Sequence, residues 1–413
     1  MAVLTITSSG TLGDHFPFLA LGRALALRGH QVRYAAPRYL LPHVEACGLT
    51  YYPGRPEHDP AAVRKRPEAF DHWLEAKGGP RAAGLVDEVD LYEKLHFDER
   101  LDDVLAACEG ADLLICSRLQ IVGRMVSDLA GLPWITACVL PWLYPDADSP
   151  AAAGVAAREA KGAVLPANRR FRDRIHALRA HHRLTAIPRE QETQLFEARR
   201  ILLATSPRFG QPPAQPGREL VQTGFWLHRP PQWPADPLPP QLDHPLVLAF
   251  SSQPLADPGG VLDLHLATAR LLGQVLVAQA GWAELRSPRF TEACRNGEAF
   301  LLPEGPQDEL FFRAGAVITH GGIGTVARAI SAGAPLLVEP YGNDQFYNAR
   351  QVVALGVGAA VNPHNLTPAG LAQVLESRVL PTNVRRRSRE IGAELDSEVS
   401  LLRACQQIER WLE

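Results

Sequence analysis

The chain has 413 residues, 46% of them hydrophobic and 21% charged, with 42 Lys and Arg against 45 Asp and Glu for a net charge of −3. One hydrophobic core rarely grows beyond roughly 250–300 residues, so two domains are expected. The near-neutral charge excludes the basic field that drives non-specific nucleic-acid binding, and six scattered cysteines without a CxxC pair exclude a disulfide framework or zinc site and fit a reducing cytoplasm.

In chain order, Met1 to Ser8 lacks the charged flank and apolar core of a signal peptide, and no run of about 18 apolar residues follows anywhere. A cytoplasmic location is the expectation. Val3 to Thr7 reads as a strand, Gly10 to Gly13 as a turn, Phe16 to Arg28 as a helix with Phe18, Leu21, Ala24 and Leu25 at helical spacing, and Gln31 to Ala36 as a second strand. Pro17 suits the first helical turn and Gly29 the C-cap. This is a βαβ opening. Leu113 to Cys116, Trp134 to Val139 and Ile201 to Ala204 are short apolar runs of the kind buried in parallel sheets.

Arg169 to Arg183 carries six arginines and one aspartate. A basic amphipathic helix of this kind suits weak peripheral contact with an anionic membrane, although a solvated face in an arginine-rich protein is the simpler reading. Between Pro207 and Pro245 lie 11 of the 35 prolines, a density read as a linker. Beyond it Leu246 to Phe250, Val275 to Gln279, Phe300 to Leu302, Ala316 to Thr319, Leu336 to Glu339 and Ala359 to Asn362 read as strands of a second α/β unit. A last helix from Ser397 to Leu412 places Val399, Leu402, Cys405, Ile408 and Trp411 on one expected packing face. The expected division is therefore a first domain over 1–225, a Pro-rich linker over 226–245, a second domain over 246–395, and a terminal helix over 396–413.

In open parallel sheets, ligands bind beyond the carboxyl ends of the strands, where helix N-termini present unpaired N–H groups. The most informative such turn is His320-Gly321-Gly322-Ile323-Gly324-Thr325, where an apolar strand runs through glycines into a helix. Glycines admit an anion close to the backbone, and His320 and Thr325 add side-chain donors. A strand-end histidine with a structural hydrogen bond is the plain alternative. The next strand ends in a second polar turn, where Asp344 and Gln345 suit sugar hydroxyls and Asn348, one helical turn on, could reach the same anion. Helix capping by Asn343 or Asp344 would account for one of them.

His320-Gly-Gly-x-Gly-Thr325, Ala332-Gly-Ala-Pro335 and Asp344-Gln345-x-x-Asn348-Ala349 together resemble the donor-binding motif of nucleotide-sugar glycosyltransferases of the GT-B fold. The resemblance extends through Pro306-Gln307 and the N-terminal Gly13-Asp14-His15-Phe16-Pro17. The bacterial branch that glycosylates sterols, carotenoids, macrolides and other lipophilic products is the nearest in pattern, with rhamnolipid-type rhamnosyltransferases. The resemblance implies two Rossmann-like parallel-sheet domains facing across a cleft, with the C-terminal helix packed back on the first.

It further implies an inverting transfer of a hexose or deoxyhexose from a UDP- or dTDP-sugar to a hydroxyl, with no metal and no cofactor beyond the nucleotide-sugar co-substrate. Gly13, Ser252, Gln307, His320, Gly321, Gly322, Gly324, Thr325, Asp344, Gln345 and Asn348 are the implied donor contacts. Counting back from Pro17 puts Asp14 at the position of the general base, with His15 the second candidate. The aspartate that orients a histidine base in many members is matched here by Ser117, which favours Asp14. A carboxylate, of ordinary pKa near 3.9, needs burial or an apolar neighbour to act as a base near neutral pH. The tryptophan that stacks on the nucleobase in plant members is matched by Glu304, and Trp282 resembles a donor-pocket tryptophan of sterol-type members.

Phe70, Trp73, Trp142 and Tyr144 are expected as apolar walls for a lipophilic or aromatic small-molecule acceptor. A dinucleotide-binding reading fails, since the first turn is Gly10-x-x-Gly13 and Arg38 lacks the glycine fingerprint beside it. Asp146-Ala-Asp148 between prolines reads as a solvated turn, and His181-His182 has no ligand partners at metal spacing. A nucleotide-sugar 2-epimerase and a non-catalytic donor-binding partner protein remain the alternatives of the same fold.

Overall fold

A computed structural model describes residues 1–10, 12–55, 97–118, 120–139, 169–188, 195, 197–212, 217–229, 238, 242–251, 253, 255, 257–281, 285–303, 305, 307–342 and 344–413. The described residues fall into two compact units. The first takes those within Met1–Asp59, Pro80–Pro231 and Ser397–Glu413, and the second those within Gln232–Asp396.

The first unit is a parallel sheet of β1 (Val3–Thr7), β2 (Gln31–Ala36), β3 (Thr50–Pro53), β4 (Leu113–Ser117), β5 (Trp134–Cys138), β6 (Arg200–Leu203) and β7 (Glu219–Gln222), in the order β3-β2-β1-β4-β5-β6-β7. The second holds β8 (Leu246–Ala249), β9 (Leu276–Gln279), β10 (Ala299–Leu302), β11 (Ala316–Thr319), β12 (Leu336–Val338) and β13 (Gly358–Ala360), in the order β10-β9-β8-β11-β12-β13. All described pairings are parallel. Central strands such as β4, β8 and β11 are buried on both faces, which explains their largely apolar sequences.

Strand order reverses between β1 and β4 in one unit and between β8 and β11 in the other. At such switch points the connecting helices leave on opposite faces, opening a crevice at the carboxyl ends of the strands. The turns after β1, β8 and β11 are therefore the ones placed to meet ligands.

The helix Ser397–Leu412 packs against the helix Leu12–Leu27 within the first unit. Arg28 clamps Glu409 with two hydrogen bonds of 2.7 and 2.6 Å. Those bonds from Arg28 pull the Glu409 carboxyl down to about 2. Leu227 N donates to Ser397 Oγ at 2.8 Å, and Trp411 Nε1 to Glu219 Oε1 at 3.0 Å. The buried face differs from the expected one. Cys405, Ile408 and Trp411 are buried with Ser400 and Ala404, whereas Val399 and Leu402 lie outside. Residues spaced strictly by three drift about 60° per step on a 3.6-residue helix, so five of them cannot share one face.

Two further expectations are corrected. The proline-rich stretch is not a linker from Pro207 onward: Phe209, Phe225 and Trp226 are buried and β7 closes one edge of the first sheet. The arginine-rich helix, Arg169–His181, is not simply a basic face. Arg179 is buried, with Nη1 donating to Asp128 Oδ2 at 2.6 Å and Nη2 to the Thr185 carbonyl at 2.8 Å. Arg174 is paired with Asp98, while Ile175 and Leu178 join the core. No described helix is long and apolar enough to cross a membrane.

Candidate functional site

In the second unit, β11 ends at Thr319, whose hydroxyl accepts the N–H of Gly321 at 3.3 Å and folds the chain back on itself. Gly321 has φ +95°, and a Cβ there would stand 2.6 Å from Val338 Cγ1, so only glycine fits. Gly322 then opens the helix Ile323–Ser331 with no side-chain cap. Among the described residues nothing caps the first-turn N–H groups, which leaves them for a ligand, and the helix dipole favours an anion there.

The imidazole of His320 lies over Gly322, its Nε2 2.5 Å from where a Cβ would sit. Burial pushes its pKa down to about 4, so the ring is neutral at pH 7 and offers one N–H. Its Nδ1 is buried with no hydrogen-bond partner among the described residues. Phe250, at the end of β8, meets the ring edge-on at 6.3 Å.

Thr325, in the first turn of that helix, shares a hydrogen bond of 3.1 Å with Ser251 Oγ. Ser251 has φ +47°, an uncommon backbone state for a residue with a side chain, and it follows β8 at the switch point. Gln307 Nε2 reaches both Ser251 Oγ (3.4 Å) and Gln279 Oε1 (2.8 Å), and Gln279 Nε2 donates to the Gly305 carbonyl at 3.2 Å. Ser251 and Gln279 were absent from the sequence-based set. The resemblance marks Ser252 but not its neighbour Ser251, and Gln279 carries no sequence signal except its place at the end of β9.

The helix Gln345–Ala354 begins beside the same turn, and here the structure revises two roles. Gln345 was expected to offer its amide to sugar hydroxyls. Instead its Oε1 accepts the N–H groups of Tyr341 (2.8 Å) and Gly342 (3.0 Å), and its Nε2 donates to Gln253 Oε1 at 2.9 Å, so it holds the loop before it. Asn348 was expected to reach the anion. Its Nδ2 is spent on the Gly321 carbonyl and Asp344 Oδ2, both at 2.8 Å, which fastens the glycine turn to Asp344. Below this loop, Glu339 and His265 form a buried pair at 2.9 Å. Burial alone would lower the His265 pKa, but the charge and hydrogen bond of Glu339 outweigh it and leave it raised.

In the first unit, β1 runs through Ser8, Ser9 and Gly10 into the helix Leu12–Leu27. Gly10 has φ +117°, and a Cβ there would run into the Asp14 carboxylate, which folds back over the turn. Asp14 is half-buried and Gly13 exposed. Ser8 Oγ donates to the Asp14 carbonyl at 3.0 Å, and Tyr39 OH to the Gly10 carbonyl at 3.3 Å.

His15, the second candidate base, points into the first unit, whereas Asp14 stands at the turn. His15 is fully buried, with Nδ1 3.1 Å from Tyr34 OH, on the same inward face as Phe18, Gly22 and Leu25. Ser252, Trp282, Phe70, Trp73, Trp142 and Tyr144 lie outside the described residues, as do Glu304, Asp146 and Asp148. Among the described residues no group of three His, Cys, Asp or Glu side chains gathers to hold a metal ion.

This architecture matches solved structures over its whole length. The glycotransferase of kitacinnamycin superposes with a TM-score of 0.72 over 100% of this chain and 99% of its own, at 22% identity. The spinosyn rhamnosyltransferase SpnG in complex with thymidine diphosphate does so with a TM-score of 0.64 over 98% and 100%, at 19% identity. The fold is GT-B.

In sequence, residues 304–407 of this GT-B chain match the family model of the erythromycin biosynthesis protein CIII-like C-terminal domain, a stretch that includes the glycine turn. O-mycaminosyltylonolide 6-deoxyallosyltransferase of Streptomyces fradiae is 26% identical over 99% of this chain and 97% of its own length. The sterol 3-beta-glucosyltransferase of Aspergillus clavatus is 24% identical over 99% of this chain, which spans only 30% of that longer protein.

Proposed function

We propose that this chain is a glycosyltransferase that moves a hexose or deoxyhexose from a nucleoside diphosphate sugar to a hydroxyl of a lipophilic or aromatic small molecule, with inversion at the anomeric carbon. The observation that carries this reading is the uncapped helix start at Gly322, set at a switch point with glycines at 321, 322 and 324 and a neutral imidazole above it. In this reading the diphosphate lies on the first-turn N–H groups, with His320 and Thr325 as side-chain donors.

Asp14 takes the proton of the acceptor hydroxyl as its oxygen bonds to the anomeric carbon. The bond from that carbon to the diphosphate breaks, and its electron pair leaves on the β-phosphate. Negative charge therefore grows on the diphosphate as the transition state forms, and donors already in place stabilise it without reorganising. The thymidine diphosphate of the neighbouring structure and the deoxysugar transfer named for the Streptomyces relative favour a dTDP-sugar over a UDP-sugar.

The test is release of nucleoside diphosphate from UDP- and dTDP-glucose, with and without a panel of lipophilic alcohols and phenols. Release that requires an acceptor is expected of the wild type. Asp14→Asn should abolish it while leaving nucleoside diphosphate affinity within about twofold, since the base acts only on the acceptor. Sugar conversion without any acceptor would instead indicate an epimerase, and donor binding without release a binding protein.

A further inference from the structure

A base works only if it is held where the acceptor oxygen will be, and the position after β4 that the resemblance matches to the aspartate orienting a histidine base holds Ser117, not an acid. The structure offers another route to the same turn. Gln120, which is buried, follows β4 in a tight turn with its N–H on the Ser117 carbonyl at 2.9 Å. Its Nε2 crosses to the end of β1, donating to Thr7 Oγ1 at 3.1 Å and to the Ser8 carbonyl at 3.3 Å. Ser8 Oγ in turn donates to the Asp14 carbonyl.

Arg100 decides which end of the carboxamide faces the turn. It is 2% exposed on the helix Phe97–Ala107, its Nε donating to the Arg55 carbonyl at 2.8 Å and its Nη1 to Gln120 Oε1 at 3.3 Å. A guanidinium only donates, so Oε1 must face Arg100 and the N–H₂ must face Thr7 and Ser8. Thr7 supports the same polarity, since its hydroxyl donates onward to the Ala35 carbonyl at 3.2 Å and is left to accept from Gln120.

We infer that Gln120, oriented by Arg100, is the positioning residue for Asp14, acting through Ser8. The inference rests on Asp14 being the base. An amide suits that base where an acid would not. A carboxylate beside the turn would raise the cost of keeping Asp14 ionised, whereas the neutral N–H₂ fixes the turn and adds no negative charge. Misplacing a catalytic group by about 1 Å can cost about 100-fold in rate, so a residue that never touches substrate can control turnover.

The experiment compares wild type, Gln120→Met, Gln120→Glu and Asp14→Asn, with dTDP-glucose as donor and a series of phenols of falling pKa as probe acceptors. Gln120→Met keeps the length and loses the hydrogen bonds. Gln120→Glu keeps an acceptor for Arg100, which preserves the buried pairing if the methionine variant folds poorly, but loses the donor and adds an anion. Both should lower kcat about 10- to 100-fold with the donor KM within about twofold. The loss should shrink for nitrophenols already ionised at the assay pH, which need no base. Gln120→Glu should also shift the acid limb of the pH–kcat profile upward.

A general structural defect would lower the rate equally for every phenol and move no limb of the profile, and that result would overturn the inference. So would unchanged kinetics in both Gln120 variants while Asp14→Asn is inactive, which leaves the base assignment standing. Full activity of Asp14→Asn would remove the base assignment itself and the inference with it.

Discussion

The buried imidazole above the glycine turn makes folding depend on pH in a defined window. His320 has an ordinary pKa of 6.5 when unfolded and about 4 in the folded chain, lowered by burial. As pH falls below 6.5 the unfolded chain binds a proton that the folded chain refuses. His320 therefore contributes stability that is complete above pH 6.5 and is lost progressively down to about pH 4. The loss runs at about 1.4 kcal/mol per pH unit, and over the interval from 6.5 to 4 it approaches about 3 kcal/mol.

Urea unfolding of wild type and His320→Leu at pH 7.5, 6, 5 and 4.5 isolates this contribution, because other groups titrate in both proteins and cancel in the difference of slopes. The wild type should lose stability more steeply by up to one proton. The same ring should take up a proton when a diphosphate anion binds beside it near pH 5.5, measured as a buffer-dependent binding heat. Equal slopes, with no proton uptake on binding, would refute the placement of a neutral, buried His320 at the anion site.

Three further outcomes follow from the geometry. Gly322→Ala puts a methyl group 2.5 Å from His320 Nε2, so the ring must swing away, and nucleoside diphosphate affinity should fall at least about tenfold by calorimetry; unchanged affinity would contradict the packing of the ring over the turn. The Arg28 bonds that hold Glu409 near 2 stabilise the fold fully above pH 4.5, and that contribution fades as pH falls toward 2. Because both side chains are partly exposed, Glu409→Gln should cost only about 0.5–1 kcal/mol at pH 7 in urea unfolding, a difference that narrows at pH 3. Among the six free cysteines only Cys294 is not buried, and burial pushes Cys47 and Cys108 to about 11 and Cys405 to about 12. A thiol reagent at pH 8 should titrate at most one group in the native chain and six in urea, and rapid reaction of several native thiols would contradict the packing.

The central strands are readable from sequence because burial on both faces favours short apolar runs, as in β4, β8 and β11, and the expected bounds of β1, β2 and β11 coincide with the observed ones. The two strands that the sequence pattern does not mark, β3 and β7, are the edges of the first sheet. Half-exposed and four residues long, Thr50–Pro53 and Glu219–Gln222 have no such run. The glycine turn was equally visible, since the backbone shape it needs restricts the residue types. His15 could have been assigned to the interior from helical phase alone, because it stands three, seven and ten residues from Phe18, Gly22 and Leu25. The hydrogen bonds of Gln345, Asn348 and Gln120 could not be read, since each depends on which segments the sheet order brings together. Residue 120 meets residues 7 and 8 only because β4 lies beside β1.

The central claim is that the helix start at Gly322 grips the diphosphate of an activated sugar. A crystal structure of the protein soaked with dTDP-glucose or UDP-glucose tests it most directly. β-Phosphate oxygens should lie about 3 Å from the N–H groups of the first turn after Gly322 and from the His320 ring. A bound nucleotide with its phosphates elsewhere, or no nucleotide at that turn at saturating donor, would contradict it.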